Sequence, residues 1–220
     1  MPGVHNQTYI CAKDGFRVGT KDNNTEIIDK NGNWLGATGA DNVHVLNYGA
    51  IPASDDDYFV DNTDMQNGAY TVKSPDALDP ARPILLTQTD TNTRDTLGKI
   101  VVEGTNINDE VITEEIDVTD GTTVGGKAFK TVTSVTGKDW VVDSAEEDAD
   151  KIKVGFADPM GSPIALSEDD DALIYFEDTT VRAWSSVNSD DAVEENILTF
   201  DTNDPDGTRK FIIMLASQTA

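Results

Sequence analysis

The chain has 220 residues and a formal net charge of −25, with 41 Asp and Glu against 16 Lys and Arg. Acid spread through every segment argues against nucleic acid or anionic lipid as a direct ligand, because phosphate binding needs clustered Lys and Arg. No apolar run approaches the ~20 residues of a membrane-spanning helix, and a single cysteine, Cys11, excludes an intrachain disulfide.

Residues 1–50 are rich in Gly and Asn and carry short strand-like pieces at Phe16–Thr20, Thr25–Asp29 and Val43–Asn47. Asn31-Gly32 is a two-residue hairpin signal between them. This part has too few apolar residues to build a core of its own, so it is expected to be an extended N-terminal arm or attachment segment, 1–50. A projecting domain, 51–220, is expected to follow. It opens on a polar linker, Pro52–Tyr58, then a short strand at Tyr70–Lys73 and an irregular Ser74–Pro80 with two prolines.

Strands are predicted at Ile84–Gln88, Lys99–Gly104, Glu110–Asp117, Phe129–Val135, Trp140–Asp143 and Lys151–Phe156. Turn clusters separate them at the ~8–12-residue spacing of sandwiches and barrels. Gly121–Gly126 precedes a strand and reads as a hairpin loop. In Glu110–Asp117 the set Val111, Glu114 and Ile116 breaks parity, which predicts a bulge or a two-sided strand. In Phe129–Val135, Val132 points away from Phe129 and Val135, so the second face is expected to meet a neighbouring chain.

Ser144–Asp150 invites a helical turn. Four more strands are predicted at Ala172–Glu177, Thr180–Trp184, Asn196–Asp201 and Lys210–Ala216. The last two are expected to pair as a hairpin across Asn203–Gly207. Phe211–Ala216 is continuously apolar, the pattern of a strand buried on both faces. The fold class is therefore all-β: an antiparallel β-sandwich or jelly-roll-like domain with an N-terminal extended arm.

The sequence offers little chemistry. His5 and His44 are the only histidines, which leaves no Cys/His metal cluster and no evident His-based acid–base pair. Asp55–Asp57 and Asp169–Asp171 are the densest carboxylate runs. Consecutive strand residues point to opposite faces, so a run of three is not expected to converge without a loop; both read as solvated acidic loops. Asp29–Asn33 lacks the glycine position and the glutamate of a calcium loop. Ser162 lacks a nucleophile elbow. Trp34, Trp140 and Trp184 read as core or subunit contacts. No catalytic, cofactor-binding or metal-binding residue is assigned, and no cofactor is expected.

From about Ala53 to Ser217 the order of segments resembles a family of virion structural proteins of tailed viruses, of the capsid decoration or turret type. The residues that carry the resemblance are Ala81-Arg82-Pro83, Val102–Ile116, Thr123–Val135, Lys153–Asp158 and Asp204–Met214, with K-A-F-K-T-V-T-S-V (Lys127–Val135) the most specific. The resemblance implies a non-enzymatic subunit on the capsid exterior, bound to a major capsid protein. It also implies self-association, a homotrimer first and a pentamer next, with no nucleic-acid or membrane partner. A tail, neck or fibre protein contacting the host, or a cell-surface β-domain, remains the alternative. The first ten residues lack the regions of a secretory signal, so folding in a host cytoplasm is expected. Dense Asp and only 11 Lys point to a halophilic host, hence a haloarchaeal virus, because molar salt shortens the screening length from ~10 Å to ~3 Å.

Overall fold

The computed structural model describes residues 10–11, 17–21, 24–28, 34–38, 42–73, 76–89, 96–141, 150–172, 174–178, 180–201 and 203–217, with side chains from residue 44 onward except at 170, 174, 216 and 217. It is an all-β, antiparallel structure, and no α-helix occurs among the described residues. None of them forms a helix long and apolar enough to cross a membrane.

The first four strands, β1 (Ile10–Cys11), β2 (Arg17–Lys21), β3 (Asn24–Ile28) and β4 (Trp34–Thr38), form a meander paired in chain order. The Asn31-Gly32 turn lies outside the described residues. Strand β5 (Asn42–Ala50) leaves this meander and pairs with the strand at Lys210–Ser217. Residues 42–50 therefore belong structurally to the C-terminal sheet, although the sequence grouped them with the arm.

The next eight strands are β6 (Asp55–Asp64), β7 (Gly68–Ala69), β8 (Arg82–Thr89), β9 (Lys99–Thr105), β10 (Val111–Asp117), β11 (Thr122–Phe129), β12 (Thr131–Lys138) and β13 (Lys151–Phe156). They make two sheets, ordered β10-β9-β12-β7 and β11-β8-β13-β6. The sheets enclose one apolar core. Ile100, Val102, Ile112, Ile116, Val132 and Val135 come from the first, and Phe59, Ile84, Leu86, Phe129, Ile152 and Val154 from the second. Burial of such side chains, ~1.5–3 kcal/mol each, is the main force holding the layers together.

Two features of this sandwich correct the sequence reading. Strand β10 alternates cleanly, because Ile112, not Val111, is the inward residue: Ile112 and Ile116 are buried with Glu114 between them, and Val111 is 80% exposed. In β12, an extra residue at the Val132/Ser134 step shifts the register against β9. The bulge returns Val132 and Val135 to the same face, so no neighbouring chain is needed to cover Val132. Gly104 of β9 permits this crossing. A Cβ there would lie 1.9 Å from the Thr131 carbonyl oxygen.

Two further strands were hidden in sequences read as loops. The supposed linker Pro52–Tyr58 enters β6, and all of the supposed hairpin loop Gly121–Gly126 but its first residue lies within β11. The predicted strand at Tyr70–Lys73 is replaced by the two-residue β7 just before it. Of Trp140–Asp143, Val141 makes an isolated bridge to Thr96. The Ser144–Asp150 helical turn falls almost wholly outside the described residues.

The remaining strands are β14 (Met160–Gly161), β15 (Ile174–Glu177), β16 (Thr180–Arg182), β17 (Trp184–Asn188), β18 (Ile197–Phe200) and β19 (Lys210–Ser217). A three-stranded sheet, β14-β18-β17, faces a four-stranded one, β16-β15-β19-β5. Between them lies a second core of Ile51, Met160, Tyr175, Leu198, Phe200, Phe211, Ile213 and Leu215. The expected hairpin of the last two strands does not form, because β18 and β19 belong to opposite sheets. Residues 203–209, with a tight turn at Asp206–Arg209, lie between the two sheets along the chain. Strand β19 sits between β15 and β5, and Phe211, Ile213, Met214 and Leu215 are all buried.

Candidate functional site

Where the chain passes between the two cores, a cleft of about 660 Å³ opens, lined by Ser54, Asp55, Tyr58, Asp79, Arg82 and Phe156 among others. Its organising residue is Arg82. The side chain enters from the start of β8 and is only 2% exposed. Its Nε donates to the carbonyls of Ala157 (2.7 Å) and Pro159 (3.0 Å), and Nη1 donates to the carbonyl of Pro52 (3.1 Å). Nη2 lies 3.6 Å from Asp158 Oδ1, and the guanidinium stands 5.0 Å from the centre of the Phe156 ring.

Burial lowers the Arg82 pKa to about 10, against the opposing pull of Asp158 and Asp204, so the group stays charged at neutral pH. Asp158 in turn accepts from the Ser54 backbone N–H (2.7 Å) and hydroxyl (3.0 Å). The guanidinium thus ties the 52–54 and 157–159 segments, both of which run between the two cores. Nε and Nη1 are turned to backbone carbonyls, while Nη2 is buried with no hydrogen-bond partner beyond its ion pair with Asp158, so the group acts as a structural tie at the cleft wall.

At the rim, Asp55, Asp56 and Asp57 do converge, with carboxylate oxygens all within 4.8 Å of one another. Strict alternation would forbid this. The register of β6 against β13 is irregular here, since Asp55 to Val60 lies opposite only Phe156 to Val154. The surplus residues bulge and let neighbouring side chains share a side. Lys153 pairs with Asp56 at 2.9 Å, and Lys73 bridges Asp57 (3.2 Å) and Asp61 (2.7 Å). The Asp57 N–H also closes on Asp55 Oδ1.

Asp169–Asp171 forms a short 3₁₀ turn rather than a solvated loop. Asp171 is 4% exposed, and its Oδ2 accepts the N–H groups of Ser167 and Glu168. Ser162 is buried and donates its hydroxyl to the Ile164 carbonyl. Trp140 belongs to the first core. Trp184 lies against the second, with its ring 4.6 Å from Tyr175. The two do not form a shared platform. Cys11 and Trp34 lie on β1 and β4, and His44 on β5; His5 lies outside the described residues.

A second acidic centre gave no sequence signal. Glu114 of β10 reaches across to β11, where its Oε1 accepts the Gly126 N–H (2.5 Å) and its Oε2 is buried without a partner. Gly125 makes room, since a Cβ there would sit 2.6 Å from Oε2. Burial, with a smaller contribution from Glu195, raises the Glu114 pKa; the backbone N–H groups of Gly126 and Lys127 and the Lys127 charge oppose this. Folding therefore favours the protonated form. The resulting stability is full in acid and is lost as pH rises through the raised pKa. Glu114→Gln should melt about 2–4 °C higher than wild type at pH 7, with the difference vanishing below the ordinary carboxylate range. Melting curves from pH 3 to pH 8 measure this, and equal curves would refute it.

The surface charge makes a broader prediction. Several lysines are spent on exposed pairs, among them Lys99 with Glu115 and Asp117, Lys130 with Asp109, and Lys151 with Asp64. Such pairs contribute little each, and the excess acid repels itself. The melting temperature should rise by about 10 °C between ~0.05 and ~3 M sodium chloride, as the screening length contracts several-fold. A flat or falling profile removes the argument for a halophilic host.

No protein-family model, curated protein or solved structure matches this chain.

Proposed function

We propose that this chain is a non-enzymatic structural subunit on the outside of a tailed-virus capsid, assembling as a symmetric multimer, a trimer first, on a major capsid protein. The observation that carries the reading is where the resembling segments fall. Val102–Ile116, Thr123–Val135 and Lys153–Asp158 fall in β9–β13 and bring Val102, Ile112, Ile116, Phe129, Val132, Val135, Val154 and Phe156 into the first core, while Asp204–Met214 brings Phe211 and Ile213 into the second, so the likeness follows paired core strands rather than scattered hairpins. The cleft adds support. Its buried cation holds the backbone together, and the rim aspartates Asp56 and Asp57 are paired with Lys153 and Lys73, as suits a rigid projecting module. The acidic surface keeps such a module away from packaged nucleic acid and suits it to a high-salt medium.

Quantitative mass spectrometry of purified particles, with gold labelling of the chain, tests the proposal. Hundreds of copies spread over the shell are expected. A few to a few dozen copies at one vertex or along the tail would instead make it a tail, neck or fibre component. Absence from particles would end the virion reading.

A further inference from the structure

With one cysteine the chain cannot staple its sheets by an internal disulfide. The edge of the first sandwich nearest the short 3₁₀ turn at Val193–Glu195 holds the parts of a different staple. Asn106 directly follows β9, which belongs to one sheet, and is 1% exposed. Its Oδ1 accepts two backbone N–H groups, from Asn108 (2.9 Å) and Glu110 (3.1 Å). Its Nδ2 donates to Glu110 Oε2 (2.9 Å) and Glu194 Oε2 (3.3 Å). The other oxygen of Glu194 faces Lys127 Nζ at 3.7 Å, and Lys127 belongs to β11, on the opposite sheet. Glu195 holds the same ammonium at 3.2 Å. Side-chain exposure at Lys127 and Glu194 is 27% and 14%.

One largely buried carboxylate thus spans an amine and a carboxamide whose carbonyl is already polarised by two N–H donors. We propose that Lys127 and Asn106 join in a spontaneous isopeptide bond, with Glu194 carrying the proton. Glu194 takes a proton from the ammonium. The neutral Nζ then attacks Cγ of Asn106, and the charge that develops on Oδ1 is held by the Asn108 and Glu110 N–H groups, the arrangement of an oxyanion hole. Glu194 returns its proton to Nδ2, the Cγ–Nδ2 bond breaks, and ammonia leaves. Nζ gives up its second proton to Glu194, and that proton departs with ammonia as ammonium. No oxidant or co-reactant is required. The product ties β9 to β11 and so closes the sandwich covalently between its two sheets.

Intact-mass spectrometry of the full-length protein is the test. Wild type should be lighter than its sequence by one ammonia, and digestion should yield a branched peptide joining Lys127 to Asn106. Asn106→Ala and Lys127→Arg should each show the full mass of their sequences. Glu194→Gln, confirmed folded by circular dichroism, should also keep the full mass, because the proton carrier is gone. A wild-type mass equal to that of the sequence after prolonged incubation overturns the proposal. So does an ammonia loss that persists in Asn106→Ala, which would place it elsewhere, for instance as a succinimide at Asn67-Gly68.

Discussion

Replacing Arg82 by Met should cost ~3–5 kcal/mol, the range for stripping one partner from a buried ionic network. Methionine fills similar space over Phe156 but supplies no donor. The carbonyls of Ala157, Pro159 and Pro52 lose the N–H groups they accept from, and Asp158 loses its counter-charge. Arg82→Lys should recover only a small part of the loss. A single ammonium cannot reproduce a planar fork that reaches three carbonyls and stacks on a ring. Asp158→Asn should cost far less, because its side chain is 27% exposed and an amide oxygen can still accept from Ser54. Urea unfolding of the three variants decides the matter. If Arg82→Met lies within about 0.5 kcal/mol of wild type, the usual range of a surface change, the tie between the two cores lies elsewhere.

The ordering of those effects reflects how the fold is coupled. The first core is closed by the sheets β10-β9-β12-β7 and β11-β8-β13-β6, the second by β14-β18-β17 and β16-β15-β19-β5. The segments that join them include 51–54 and 157–159, which Arg82 clasps. Acid should also reach its limit locally. Asp206 accepts the N–H groups of Arg209 and Thr208 and the Thr208 hydroxyl, which lowers its pKa to about 2. Its contribution is present above the ordinary carboxylate range and disappears as pH falls through that lowered value. Mild acid therefore relieves Glu114 before it disturbs the Asp206 turn.

How much could be read from the residues depended on whether each strand spoke for itself. Strands β8, β9, β10 and β13 were legible, because I-L-L, I-V-V, V-I-T-E-E-I and K-I-K-V-G-F carry β-branched and alternating patterns between clear turns. Strand β6 was not. Its first three residues are aspartates, and only the lysines opposite make them tolerable on a sheet. Strand β11 was hidden because T-T-V-G-G reads as a turn, whereas Gly125 is there to admit the Glu114 carboxylate. The bulge in β12 could not be seen in one strand, since register is a property of a pair. The division into two cores was equally hidden, because periodicity identifies a buried face without saying which sheet covers it. Arg82 left one usable sign. It is a charged residue at the head of an otherwise apolar run, R-P-I-L-L, where a solvated arginine has little reason to be.

Two N-terminal truncations should behave oppositely. Removing residues 2–41 should leave both sandwiches folded, because β5 remains. Its register with β19 runs from Asn42 opposite Ser217 to Ala50 opposite Lys210, and Leu46 and Tyr48 pack against the second core. Tyr48 also lies near Asp79, and burial first, then that charge, raises its pKa to about 12. Removing residues 2–48 deletes most of this strand. The apolar β19 then becomes a bare edge, with unpaired N–H and C=O groups beside Phe211, Ile213 and Leu215, which is the pattern that recruits other chains. The shorter truncation should elute as a discrete folded species with near-native melting, and the longer one should aggregate or lose the second core. Under the proposed function, the protein lacking 2–41 should fold yet fail to decorate particles, since the attachment segment is gone. Equal stability of the two truncations would make β5 dispensable and return the domain boundary to residue 50. Decoration by the protein lacking 2–41 would move the attachment surface onto the sandwiches themselves.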